Sequence, residues 1–210
     1  MELIFGLIIL IFSIIIHEVS HGAVADMLGD PTARLAGRLT LNPLKHIDPF
    51  GSVILPALLV LTHSSVLFGW AKPVPYNPYN LRGGKWSEAL VAFSGPGVNL
   101  FIALIFGLFI RFTVGSLPAS FIALASLVVL YNLMLALFNL IPIPPIDGSK
   151  ILAAILPYHM SRAFIAFGER LAGFGLIGIF LLLILFSSVF FPIFSGVISW
   201  FFSIITGLQM

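Results

Sequence analysis

Residues 2–28 read ELIFGLIILIFSIIIHEVSHGAVADML, and the reading of that stretch decides the fold. A bilayer core about 30 Å thick takes roughly 20 helical residues, and the run from Leu3 to Leu28 has that length. Into it the chain places His17, Glu18, His21 and Asp26. Four residues apart on a helix, His17 and His21 share a face about 6 Å apart, with Glu18 one step around the axis. Within lipid each ionisable group costs on the order of 2 kcal/mol or more, so such a cluster requires a compensating partner. Satisfied polar groups in a helix bundle, or a proton relay, are the plain alternatives. A divalent cation neutralises the site better in a chain this poor in Lys and Arg. HExxH is also the spacing by which two histidines bind zinc while the glutamate serves as general base.

The remainder of the chain agrees with a membrane setting. Its 210 residues are 60% hydrophobic and 9% charged, against roughly a quarter charged in a soluble domain, so lipid must solvate most of it. The absence of cysteine removes disulfides, thiolate metal sites and a cysteine nucleophile, leaving any metal to His, Asp and Glu. A net charge of +2 with scattered basic residues offers no nucleic-acid surface. The N-terminal segment lacks a basic n-region and a small-residue cleavage site, so it is expected to be a retained span.

Two further runs, Ala89 to Ile110 and Phe121 to Ile141, are long enough to cross. Gly95, Pro96 and Gly97 should break or thin the first of these, with small-residue packing as the simplest use of the glycines. Residues 171–208 have room for two more helices turning at Pro192. Residues 51–69, interrupted by Pro56 and by Thr62 to Ser65, either cross or dip in and return. A re-entrant path puts nine of the ten Lys and Arg on one side and only Arg111 on the other, whereas crossing leaves six against four. The first distribution is the bias expected of a cytoplasmic side, so the re-entrant path is preferred. Alternation of Leu35, Gly37, Leu39 and Leu41 suggests a short membrane-associated strand or hairpin over about residues 33–42. The expected architecture is an α-helical polytopic membrane protein of about five to six transmembrane helices. Its chemistry lies in a core over 1–155, followed by a C-terminal membrane hairpin over 156–210.

Two imidazoles leave a catalytic zinc one protein ligand short. Among the remaining acids Asp147 stands out. FNLIPIPPIDGSK, residues 138–150, follows a span and breaks it with Pro142, Pro144 and Pro145, which holds the carboxylate on irregular backbone at the membrane edge. In the re-entrant topology His17 and His21 lie toward that same edge. An ordinary Asp-Gly turn after a helix explains the same residues.

HEVSH in a transmembrane helix, SGPGVN at 94–99 and the pattern NxxPxPxxDG from Asn139 to Gly148 together resemble the site-2 protease family of intramembrane zinc metalloproteases, peptidase family M50. GRLTLNPLKHIDPFGS and FGWAKPVPYNP further resemble small prokaryotic members without a PDZ or CBS domain. The likeness runs from the first span to about residue 155. It implies one Zn2+ per chain held by His17, His21 and Asp147, with Glu18 as general base for a zinc-activated water and Asn139 close to the substrate backbone. The implied substrate is a transmembrane protein cut in or near its membrane segment, the implied location a cell membrane with the active site toward the cytoplasm. Recognition and control are expected from the chain's own loops or from other proteins, a regulatory membrane partner among them. A transmembrane helix must unwind before it can be cut, and the expected strand offers Leu39 and Leu41 to the unwound segment by β-augmentation. Two readings from other classes use the same cluster: a divalent-metal transporter or sensor, and a non-catalytic relative that binds membrane helices.

Overall fold

The computed structural model describes residues 2–61, 70–175 and 191–209. Helix α1, Glu2–Met27, realises the opening span, and α4, Lys85–Thr113, with α5, Ala119–Asn139, are the other two helices long and apolar enough to cross a membrane. Helix α4 overruns its expected apolar limits at both ends. Gly83 and Gly84, with φ of +109° and +62°, turn the chain into its first residue, where an L side chain would be strained. Its helical backbone continues through Pro96, so the expected break becomes a local thinning. Helix α5 stops at Asn139, short of the expected end, because Pro142 and Pro144 disfavour helix in the residues before them.

The three helices pack side by side. Arg82 N–H donates to the Leu28 carbonyl at 2.9 Å, which sets the end of α1 level with the start of α4. After α5 a proline-broken turn leads into α6, Asp147–Ile155, and then α7, Tyr158–Gly173. The Lys85 ammonium reaches the Leu156 carbonyl at 3.5 Å, so α6 ends beside the start of α4. At the other end of α4, α8, Phe191–Thr206, completes an apolar core of Ala103, Ile110, Ala125, Val129, Leu133 and Phe202. Pro192 lies in the first turn of α8, where a missing N–H is tolerated, and the expected turn of the C-terminal hairpin falls partly on residues 176–190, outside the described residues.

No strand occurs among the described residues, and the hairpin expected over 33–42 is absent. Thr32–Leu35 forms one helical turn, α2, and Gly37 adopts φ +63°, which reverses the chain where a strand would continue. Alternating leucines fit a pleat only if a partner strand takes their backbone groups, and none is described here. The segment expected to be re-entrant begins with wide-turned π-helix at Pro49–Ile54, capped by the Asp48 carboxylate, and continues as α3, Leu55–Leu61. Its two ends meet. Trp70 N–H donates to the Gly51 carbonyl at 3.1 Å, and the Ser52 hydroxyl donates to the Trp70 carbonyl at 2.8 Å.

Candidate metal centre

Helix α1 presents His17 and His21 one turn apart, both buried, toward α4 and α6. A side chain at residue 95 would forbid that approach. A Cβ on Gly95 would lie 2.5 Å from His21 Nε2 and 2.7 Å from His17 Nε2, so α4 can reach the imidazoles only with glycine there. On the opposite flank Asp147 opens α6, and a Cβ on Gly148 would strike the Leu140 backbone, so the Asp-Gly pair lets the chain fold back against the end of α5.

The ligand atoms converge. His17 Nε2 and His21 Nε2 each lie 3.2 Å from Asp147 Oδ2, and 3.1 Å from one another. These three residues form the cluster able to hold a metal ion among those described. Tetrahedral zinc with bonds of 2.0–2.1 Å separates its ligand atoms by about 3.3 Å, so the donors fit that ion.

The hydrogen bonds behind the ring nitrogens explain how the imidazoles are aimed. His21 Nδ1 lies 2.7 Å from the Val91 carbonyl, which only accepts, so Nδ1 carries the proton. His17 Nδ1 lies 2.7 Å from Asn99 Oδ1. The Asn99 amide nitrogen is already committed, donating to Asn132 Oδ1 at 2.7 Å and the Ser13 carbonyl at 3.3 Å; its oxygen is what remains for His17. Asn132 in turn donates to Ser13 Oγ at 2.9 Å. Each ring therefore carries its Nδ1 proton away from the cluster and turns Nε2 toward one place, beside a carboxylate. Two ring nitrogens and a carboxylate oxygen at that separation, aimed by the bonds behind them, form a donor set that one divalent cation can share.

Glu18 flanks the cluster half-buried, its Oε2 accepting from Val74 N–H at 2.9 Å. Asn139 is half-buried at the end of α5, and its amide nitrogen donates to the Leu135 carbonyl of its own helix at 2.9 Å. Leu39 packs over Gly22 of α1, while Leu41 is exposed. Ser13 is enclosed in the Asn99 and Asn132 network. Sequence reasoning left Asn132 unremarked; its signal was an amide inside an otherwise apolar span.

Known proteins bear on this geometry. The profile of peptidase family M50 matches residues 115–185, which include Asp147. The chain is similar to YwhC of Bacillus subtilis, named as a candidate zinc metalloprotease, at 39% identity over 158 residues covering 71% of this chain and 68% of that one. It is also similar to Rip2 of Mycolicibacterium smegmatis, named likewise, at 32% identity over 73% of this chain and 58% of that one. A Synechocystis protein of the same description, sll0528, is 44% identical over 71 residues, 34% of this chain and 18% of its own length. The chain thus spans more than half the length of the first two. No solved structure matches it.

Proposed function

Since the chain belongs to peptidase family M50, we propose that it is an intramembrane zinc metalloprotease, hydrolysing peptide bonds in or near the transmembrane segments of other membrane proteins. The observation that carries this reading is the pair of imidazoles whose Nδ1 protons are directed away, leaving both Nε2 atoms and Asp147 Oδ2 around one point beside Glu18. His17, His21 and Asp147 would hold one zinc per chain. When bound, zinc polarises the scissile carbonyl and makes water acidic enough to attack near neutral pH. Glu18 accepts the proton from that water and delivers it to the leaving nitrogen. Asn139 and Leu39 lie on the segments that border the cluster and would contact the unwound substrate; Leu41 extends that contact outward.

For topology, we read residues 51–69 as re-entrant, a reading supported by the bonds that join Gly51 and Ser52 to Trp70. The ends of α1 and α5 and the start of α4 then face the crowded positive side, the cytoplasm of a cell membrane, with the C-terminal segment adding a membrane hairpin. Control would come from the chain's own loops or from a membrane partner.

Purified protein with zinc, a helical membrane substrate and the Glu18→Gln variant test the assignment. Cleavage by the wild type, lost in the variant while zinc is retained, is the expected result. Flux of zinc across vesicles with no cleavage by either protein would turn the site into a transport site.

A further inference from the structure

Residues 70–77 form neither helix nor strand, and the middle of the segment crosses α1 at Glu18 and Gly22. Val74 N–H donates to Glu18 Oε2 at 2.9 Å. The Arg38 guanidinium donates to the Lys72 carbonyl at 2.8 Å and, more weakly, to the Pro73 carbonyl at 3.4 Å. Lys72 N–H donates to the His46 carbonyl at 2.9 Å, and Asn77 N–H to Asp30 Oδ2 at 2.6 Å. The Val74 side chain, 5% exposed, is seated over Gly22 beside Leu39 and Ala33. A Cβ on Gly22 would lie 2.6 Å from Val74 Cγ1, so the glycine makes the floor of that seat.

Two facts set this segment apart from an ordinary loop. Arg38 is 7% exposed, has no carboxylate partner among the described residues, and keeps a buried Nε with no hydrogen-bond partner there. A buried guanidinium without a counter-charge must be solvated by carbonyls, and here the strap supplies them. Pro73 and Pro75 bracket Val74, fixing φ and removing two N–H groups, so the strap is stiff there and Val74 N–H is the one backbone donor over residues 73–75. One carboxylate oxygen, one buried arginine and one aliphatic seat in a row constitute the recognition set for an extended peptide.

We infer that the strap Lys72–Val74 occupies, from within the chain, the cleft that receives the substrate's unwound backbone. Arg38 binds a substrate carbonyl there, and Gly22, Ala33 and Leu39 form the subsite for one aliphatic side chain of about valine size. The inference rests on the proteolytic reading of Glu18, whose Oε2 is engaged for as long as Val74 stays. Departure of the strap strips Arg38 of two acceptors and Glu18 of a donor and uncovers the apolar seat. A substrate strand entering in extended form restores the acceptors of Arg38 and refills the seat, leaving Glu18 free for water, so opening is largely an exchange of partners. A folded transmembrane helix, its carbonyls already bonded, cannot make that exchange. The cleft therefore selects unwound segments.

The chain has no cysteine, which allows a clean lock. Ala33 and Val74 both border Gly22, and the double variant Ala33→Cys, Val74→Cys is built to join them on oxidation, with the disulfide verified by mass. With zinc and a synthetic transmembrane peptide carrying a central Asn-Gly pair flanked by valines, the oxidised form is expected to cut at least about tenfold more slowly and to recover on reduction, at constant zinc content. Oxidised protein that cuts at the reduced rate overturns the inference. Amide exchange of residues 72–77 in the Glu18→Gln variant gives a readout independent of turnover and of disulfide formation. Excess peptide should accelerate exchange at Val74, and unchanged exchange with bound peptide also overturns the inference. Arg38→Gln should raise KM with little change in kcat, with part of the loss restored in Arg38→Lys; unchanged KM removes Arg38 from the cleft. Failure of the wild type itself to cut would count against the protease, and exchange would still report whether a membrane peptide displaces the strap.

Discussion

The two ends of the helix bundle are buried alike and held in different ways. Toward the end of α1, Asn99 and Asn132 are fully buried and bonded to each other, to Ser13 and to His17. About 16 Å further along α4, Ile110 is as fully buried, in a cluster of apolar side chains with Val129, Leu133 and Phe202. Lipid tails are as apolar as leucine, so the second kind of contact gains dispersion from close fit but does little to prescribe an angle. Each amide in the first kind has partners on other helices, and a rotated helix would leave those bonds unmade in hydrocarbon. The bundle is packed at one end and oriented at the other. Orientation is what a metal centre requires.

Removing a ligand should separate the two ends most sharply. Asp147→Ala is expected to weaken zinc binding by more than about 100-fold, since loss of a ligand exceeds the 10–100-fold effect of losing an outer hydrogen bond. Competition with a chromogenic chelator measures it. Leu133→Ala, in the apolar core, should lower stability by about 2 kcal/mol and leave zinc affinity unchanged. A common effect on zinc in both variants would erase the distinction between the ends.

The glycines offer a finer contrast, because both permit close approach. A Cβ at Gly107 would strike Ile205 of α8, and one at Gly95 would strike the imidazoles. Gly95→Ala should weaken zinc by about tenfold or more through displacement of His17 and His21. Gly107→Ala should instead cost about 1–3 kcal/mol of thermal stability through overpacking, with the metal retained. A smaller effect is expected for Asn132→Leu, which touches no ligand and leaves Asn99 with one fewer acceptor: zinc affinity should fall by about tenfold. In a double-mutant cycle with Asn99→Leu the coupling should be about 1 kcal/mol; independent effects would mean that the two amides do not act as one chain.

These contrasts also mark what the sequence could disclose. The three spans and the HExxH face were legible because length and helical spacing are local properties of the chain. Asp147 was legible as a candidate because proline fixed the backbone around it. The Asn99, Asn132 and Ser13 chain was not, since its members lie on three helices up to 119 residues apart and only packing brings them together. The expected strand failed for a related reason. Leu35, Gly37, Leu39 and Leu41 satisfy alternation, but alternation specifies a strand only when a partner exists, and Gly37 was free to take the positive φ that bends the segment toward Gly22. Arg38, between two of those leucines, was read as a count on one side of the membrane when its burial makes it part of the cleft.

The smallest expected effect lies at the edge of the oriented end. Asp30 is fully buried just past α1, and its carboxylate accepts from the Thr32 hydroxyl at 2.5 Å, from Asn77 N–H at 2.6 Å and from the Asn80 amide at 2.8 Å. Burial pushes this carboxyl up, but the hydrogen bonds from Thr32, Asn77 and Asn80 outweigh it and hold the group below the usual carboxylate range. A group with a lowered folded value contributes stability above its unfolded pKa of about 4, and that contribution is lost as pH falls toward the folded value. Asp30→Asn should therefore lower stability near neutral pH by roughly 1–2 kcal/mol. It should also flatten the decline between about pH 5 and pH 3, narrowing the gap from the wild type as acid is added. Thermal unfolding with chelator present, so that zinc release does not contribute, measures the difference. Because Asp30 anchors Asn77, the variant should also loosen the strap and speed amide exchange at residues 72–77. A parallel acid limb in the two proteins would show that Asp30 is bonded without being charge-stabilised. Unaltered exchange would show that the strap is held from its Arg38 side alone.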